Sequence, residues 1–400
     1  MTRNRKWTQS LLTLALLAVF GSAGALLAGK GGNKPPADET PPPDVSYTMT
    51  LLGTLGGTWS QGFAMNEWGD VVGYSETAET VTTSDGEVPT VEPFVYFNNT
   101  GKMHRLRDLV KADDQTFWNW RWKQPQGINS SGQICMRGST ASGGIYESPA
   151  VRITLAFDEA GIVIPGEGFV EIVGPHSSSP SKINEFGDVT GEYESAPYVY
   201  GAFVYSDDFG FTDIGNLGGN YAQGHAINNL REVAGSSEIA NGELHAFLYV
   251  PGGGMQDLGV IASWLPQYDD RSVGRDLNDF GVVVGNASAG KQKGLSVTHA
   301  FREAGNGMDD LGTLGGRHSG ASSINSHGAI VGYAYDKDSS RRPFLYTDTF
   351  GMVDVEPLIT NLPTGTSSIT VFRINDAGEI CGIIWFNDGT KEAFLLTPNS

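Results

Sequence analysis

The chain has 400 residues, 54 of them glycine and 19 proline, with 39% hydrophobic and 10% aromatic content. That is too much apolar material for a disordered chain and enough for a packed core. Its 45 acids against 26 Lys and Arg leave a net charge of −19, which repels a phosphate backbone and excludes nucleic acid as the main partner. Two cysteines exclude a disulfide scaffold and a cysteine-rich zinc site.

Arg3, Arg5 and Lys6 precede an apolar run from Leu11 to about Ala28, and Ala23-Gly24-Ala25 offers small residues for cleavage. Residues 1–25 therefore read as a secretory signal peptide, which predicts a secreted, cell-surface or periplasmic protein. An uncleaved anchor reaching to about residue 28 is the rival reading, because the run sits at the lower limit for a bilayer span. No other membrane span is expected. Residues 29–45, with Pro35, Pro36, Pro41, Pro42 and Pro43, form a stiff linker. Residues 46–400 are read as one repeat-built domain.

Within that domain one pattern recurs seven times: an apolar residue, Asn, two variable positions, Gly, then a β-branched residue and a second Gly. It begins at Asn66-Gly69 and recurs at Asn129-Gly132, Asn184-Gly187, Asn278-Gly281, Asn325-Gly328 and Asn375-Gly378. A further copy at Asn228 has Arg231 in place of the first glycine, and the copy at Asn129 has Met136 in place of the last. Asn bonds back to its own backbone to open a turn and Gly takes the positive φ that closes it, so these residues are predicted hairpin corners. After each corner comes an apolar triplet such as Phe94-Val95-Tyr96, Phe203-Val204-Tyr205 or Phe344-Leu345-Tyr346, then a turn, then a segment such as Met255-Gln256-Asp257-Leu258-Gly259. Segments of this length and composition are strands.

Four short strands per unit, at about fifty residues per unit, suggest a β-propeller or a solenoid. The last copy lacks its Asp-Leu-Gly segment, whereas Leu51-Leu52-Gly53-Thr54-Leu55-Gly56-Gly57 stands alone before the first. An orphan strand at one end and a three-stranded unit at the other are what a ring needs to close. The expected fold is thus all-β: a seven-bladed propeller of four-stranded blades, closed by the N-terminal strand joining the last blade.

The pattern resembles the HAF-repeat family of predicted extracellular proteins. His245-Ala246-Phe247 and His299-Ala300-Phe301 carry its triplet, and Asp310-Leu311-Gly312-Thr313-Leu314-Gly315-Gly316 its tag. The resemblance spans roughly residues 51–400, is weakest between Lys111 and His176, and implies export and a repeat-built β fold. It brings no catalytic residues.

No catalytic elbow, phosphate loop or zinc-ligand spacing is present. Asp336-Lys337-Asp338 begins like a calcium loop but lacks its glycine and distal Glu, so it reads as solvated charge. No metal or cofactor is expected. Cys135 and Cys381 occupy equivalent positions in units too far apart for a bridge, and read as buried thiols. One position stands out, seven residues before the hairpin Asn, where Trp59, Trp122, Tyr221 and His318 place rings. Trp118 and Trp120 alternate with Trp122. These six residues are the candidate binding set, expected on loops ringing one mouth, with packing between blades as the rival reading. The leading function is an exported, non-enzymatic binding or adhesion module for a glycan or protein partner, expected to be a monomer. The alternatives are a polysaccharide hydrolase or lyase using channel carboxylates, and a purely structural surface protein.

Overall fold

The computed structural model describes residues 45–84, 86–119, 123–139, 148–262, 270–292 and 294–399. The expected signal peptide and nearly all of the linker lie outside them. The described chain is all-β apart from a six-residue helix, Ala112–Phe117, and two single 3₁₀ turns.

The hairpin corners form as the residue types require. In every copy the Asn side-chain oxygen accepts the amide four residues on, as Asn66 Oδ1 does from Asp70 at 2.9 Å. Gly69 takes φ +74°. In the fourth copy Arg231 adopts φ +63°, a conformation costly for a side-chain-bearing residue, and its guanidinium meets Asp188 at 2.8 Å and Asp208 at 2.6 Å.

The last glycine of the motif has a different cause. Gly73, Gly191, Gly235, Gly285, Gly332 and Gly382 each stand opposite a phenylalanine of the next strand: Phe94, Phe203, Phe247, Phe301, Phe344 and Phe394. All six rings are fully buried. A Cβ on Gly235 would lie 2.6 Å from the Phe247 ring. The second copy reverses the sizes, with Met136 opposite Val151, so the pair rather than the glycine is the repeated unit of packing.

Each corner joins the first two of four antiparallel strands, which in the first unit are Gly56–Met65, Val71–Thr83, Gly86–Phe97 and Lys102–Arg105. The sheets among the described residues have four or eight strands. Each eight-stranded sheet is two antiparallel sets of four joined by a single parallel bridge, Tyr200–Tyr221 in one and Thr298–His318 in the other. The N-terminal strand Tyr47–Leu51 pairs antiparallel with Lys391–Pro398, placing Tyr47 opposite Pro398 and Leu51 opposite Phe394. It completes the sheet that contains Thr366–Ile374 and Ile380–Phe386.

Buried side chains gather between units, because each sheet has two apolar faces to cover. One cluster lies at each junction of consecutive units: Ala64 and Val95 with Ile128 and Ile134, then Cys135 with Ile183 and Phe203, and so on to Val331 and Leu345 with Ile374 and Ile384. A further cluster joins the last unit to the first, packing Cys381, Ala393 and Leu395 against Val71, Phe94 and Tyr96. Both cysteines are free and buried, in separate clusters, as expected, with burial pushing each thiol up to about 12.

The His-Ala-Phe triplet works at these junctions. The His245 and His299 Nδ1 atoms lie 2.8 and 2.9 Å from Asp257 and Asp310 of the following Asp-Leu-Gly segment. The Ala300 amide donates to Ser319 Oγ of the next unit at 2.8 Å, and that hydroxyl donates to the Gly312 carbonyl at 2.5 Å. Ser60 repeats the arrangement across the chain ends, accepting from the Ala393 amide at 3.0 Å.

Candidate functional site

The first strand of every unit ends at its hairpin asparagine, and these seven ends surround one cavity of about 170 Å³. The asparagines are tied to one another around it. Asn66 Nδ2 donates to the Asn129 carbonyl at 3.2 Å, Asn129 to Asn184 at 3.0 Å, and Asn184 to Asn228 at 3.0 Å. Asn228, Asn278 and Asn325 continue to Asn278, Asn325 and Asn375 at 3.1, 3.2 and 3.0 Å. Asn375 returns to Asn66 at 3.4 Å. The corners are therefore also links between units, a role that the local turn chemistry does not reveal.

A second set of bonds runs through the next residue of each corner. Glu67 accepts the Asp376 amide at 2.8 Å, Glu185 accepts the Ser130 amide at 3.0 Å, Asp279 accepts the Asn229 amide at 2.8 Å, and Asp376 accepts the Ser326 amide at 2.8 Å. Four carboxylates thus face one mouth. Water reaches Glu67, yet the surrounding walls and then Asp376 raise its carboxyl to about 7. Below them Asp276 is fully buried, where it pairs with Lys182 and accepts from Ser323 Oγ at 2.7 Å. Burial would push its carboxyl up, but Lys182 and Arg373 outweigh that and hold it below the usual range.

At the tips of four corners, two residues after the Asn, stand large apolar side chains that sequence reasoning passed over. Phe186, Leu230 and Phe280 are 67, 61 and 76% exposed on three consecutive units, and Trp68 is half-open on the first. Large apolar residues are unusual at turn tips, and that anomaly was the available signal.

The sequence-derived candidates lie toward the opposite ends of the same strands. The pre-asparagine position falls inside the first strand rather than on a loop, because the paired glycines of the tag carry the chain straight into that strand: Gly56 takes φ +100° and Gly57 packs on Glu76 with no room for a Cβ. Trp59 is half-buried, edge-on to Tyr74 at 5.6 Å, with the Lys391 ammonium 4.4 Å from its ring centroid. Tyr221 donates to Gln223 Oε1 at 2.7 Å beside Tyr200. His318 Nδ1 accepts the Thr298 amide at 3.2 Å. These three sit at seams between units. Trp118 is buried in the core shared by the first two units. Trp120 and Trp122 lie outside the described residues.

All seven first strands share one irregularity, a register shift that leaves a single extra residue three positions before the Asn. Such a bulge re-aims its side chain. The bulged residues are Phe63, Gln126, Ser181, His225, Arg275, Ser322 and Phe372. Phe63 and Phe372 meet at 5.5 Å across the junction of the last and first units. His225 Nε2 lies 2.9 Å from Ser236 Oγ; burial, aided by Arg275 and Arg373, pushes its pKa down to about 3, so the ring is neutral. Among the described residues no group of His, Cys, Asp and Glu is placed to hold a metal ion, and no helix is long and apolar enough to cross a membrane.

No family model matches the chain, and no curated protein matches it. Solved structures do. The β-propeller domain of the Trilobed protease from Pyrococcus furiosus, described as having an open velcro topology, is similar at 9% identity with a TM-score of 0.56, covering 86% of this chain and 94% of that one. TolB from Acinetobacter baumannii is more distant, with 11% identity, a TM-score of 0.39, and 82% and 80% of the two chains covered. The likeness to the first of these concerns fold alone: the chain has a β-propeller fold.

Proposed function

We propose that the protein is an exported, seven-bladed propeller, closed by its N-terminal strand, that binds a ligand on the face of its asparagine corners. Closure is supported by the Tyr47–Leu51 pairing with the last strand, by the apolar cluster between last and first units, and by the Asn375–Asn66 bond. Export rests on the sequence of residues 1–25 and membership of the HAF-repeat family on the recurring motifs. The binding role rests on one observation: Phe186, Leu230 and Phe280 stand exposed at the tips of three consecutive corners whose asparagines line the cavity. Apolar patches kept exposed on a soluble domain mark interaction sites. A glycan array probed with the full chain, beside the F186S/L230S/F280S variant, tests it. The variant changes only exposed side chains, so it should keep its melting temperature and lose the bound glycans. Retained binding would move the site elsewhere, and no binding with no turnover of polymeric substrates would leave a purely structural role.

One observation favours a hydrolase instead. A carboxyl near 7, such as that of Glu67, suits a general acid, and Asp376 stands beside it. Against it, Glu67, Glu185, Asp279 and Asp376 each hold a backbone amide of a neighbouring unit. Turnover of a polysaccharide that disappears in E67Q would establish the hydrolase.

A further inference from the structure

Four large apolar side chains on the corner face, Phe186, Phe209, Leu230 and Phe280, belong to none of the apolar clusters between units. Phe209, on the turn after the strand Val199–Ser206, is 72% exposed. With Phe186 and Phe280 it makes up the three most exposed phenylalanines among the described residues. The four are neighbours, because the residues just before the tips are bonded in a row. The Glu185 amide donates to Asn229 Oδ1 at 3.0 Å, and the Asn229 amide and Nδ2 donate to Asp279 Oδ1 and Oδ2 at 2.8 Å. Arg231, next to Leu230, lies over the Phe209 ring, 5.1 Å from its centroid, and pairs with Asp188 of the Phe186 corner at 2.8 Å. At the same tip position the second, sixth and seventh units carry Ser131, His327 and Ala377. The turn itself therefore has no need of an apolar side chain.

Acids stand among these rings. Glu185 and Asp279 each precede a phenylalanine. Water reaches Glu185, yet the surrounding walls raise its carboxyl, and the Asp279 charge adds to that. Asp207 and Asp208 are exposed beside Phe209. The two arginines here are already held, Arg152 by Glu171 and Asp207, and Arg231 by Asp188 and Asp208. A patch that is apolar and negative is complementary to a ligand that is apolar and positive. The patch is also periodic: three consecutive corners present an acceptor, Glu185, Asn229 or Asp279, followed by an apolar side chain. A repeated surface suits a repeated ligand. In a polymer of amino sugars each ring offers an apolar face for stacking and each ammonium a charge for a carboxylate.

We propose that the corners at Asn184, Asn228 and Asn278 bind a polycationic glycan of the amino-sugar class, with Phe186, Phe209, Leu230 and Phe280 under its rings and Glu185 and Asp279 against its ammonium groups. This rests on the corner face being the binding face, and narrows its ligand to one chemical class.

Calorimetric titration of the full chain in mildly acidic buffer tests it, with an oligomer of glucosamine, the same oligomer N-acetylated, and an amphipathic Lys/Leu peptide of equal charge. The glucosamine oligomer should bind at least tenfold more tightly than either, and should weaken as salt is added while the acetylated oligomer does not. E185Q/D279N should weaken the glucosamine oligomer at least tenfold and leave the acetylated one unchanged; E185Q alone and the salt response serve if the double variant fails to fold. F186S/L230S/F280S should weaken both oligomers. Equal binding of the two oligomers by the parent, lost together in F186S/L230S/F280S, overturns the amino-sugar assignment and leaves the corner face as the site. Tighter binding of the peptide overturns it in favour of a basic protein partner, and failure of the glucosamine oligomer to bind the parent overturns it outright. Glucosamine binding that survives F186S/L230S/F280S overturns both the assignment and the face.

Discussion

Asn325 provides the sharpest test of the bonds that link the units. Its side chain is buried, accepts the amides of His327 at 3.1 Å and Ala329 at 2.9 Å, and donates to the Asn375 carbonyl at 3.0 Å. Asn325→Ala removes all three bonds. The Asn375 carbonyl keeps a partner in the Gly378 amide at 3.0 Å, but the His327 and Ala329 amides lose theirs. At roughly 1 kcal/mol net per bond, with some surplus for orphaned buried donors, the cost is about 3 kcal/mol. For a domain of this size, with an unfolding entropy of about 2 cal/mol/K per residue, that lowers the melting temperature by about 4 °C. The comparison is Asn241→Ala, which removes the same kind of turn bonds to Glu243 at an exposed site and should cost less than about 1 kcal/mol. Urea unfolding of both variants, followed by tryptophan fluorescence, measures the difference. If N325A lies within 1 kcal/mol of N241A, the inter-unit asparagine bonds do not stabilise the domain and the account of the corners as links fails.

Two further outcomes follow from the same contacts. Met49 is buried in the cluster that also holds Leu358, Ile369 and Leu396, so Met49→Ala should cost about 2–5 kcal/mol in urea unfolding; a change below 1 kcal/mol would mean that the N-terminal strand does not secure the last sheet. Glu67 has a folded-state pKa raised to about 7, first by burial and then by Asp376, so its contribution is fully present below the unfolded pKa near 4.5 and is lost as pH rises through about 7. Discounted for solvent at the open mouth, Glu67→Gln should be about 1 kcal/mol more stable than the parent at pH 8 and equal to it at pH 4, and thermal melts showing no pH-dependent difference would remove the raised pKa.

How much was legible depended on how far each interaction reaches along the chain. The Asn-Gly corners span four residues, and the Phe opposite each glycine belongs to the very next strand, so both leave a spaced pattern. The end-to-end strand pairing was readable because one segment was missing from the last copy and present before the first. Trp59, Tyr221 and His318 were singled out as rings, but nothing local distinguished a mouth from a seam, and the structure puts all three at seams. Arg275 and the exposed tips Phe186, Leu230 and Phe280 went unread, since neither a bulge nor a turn-tip side chain changes the hydrophobic period that reveals a strand.

The sequence by itself therefore determined the repeat, its strands and its turns, which depend on short-range backbone chemistry repeated seven times, and pointed to the pairing of its ends through the segment missing from the last copy. Only the tertiary structure decided which side chains face one another across the axis. Lys182 and Asp276 are 94 residues apart and meet because alternate units converge there.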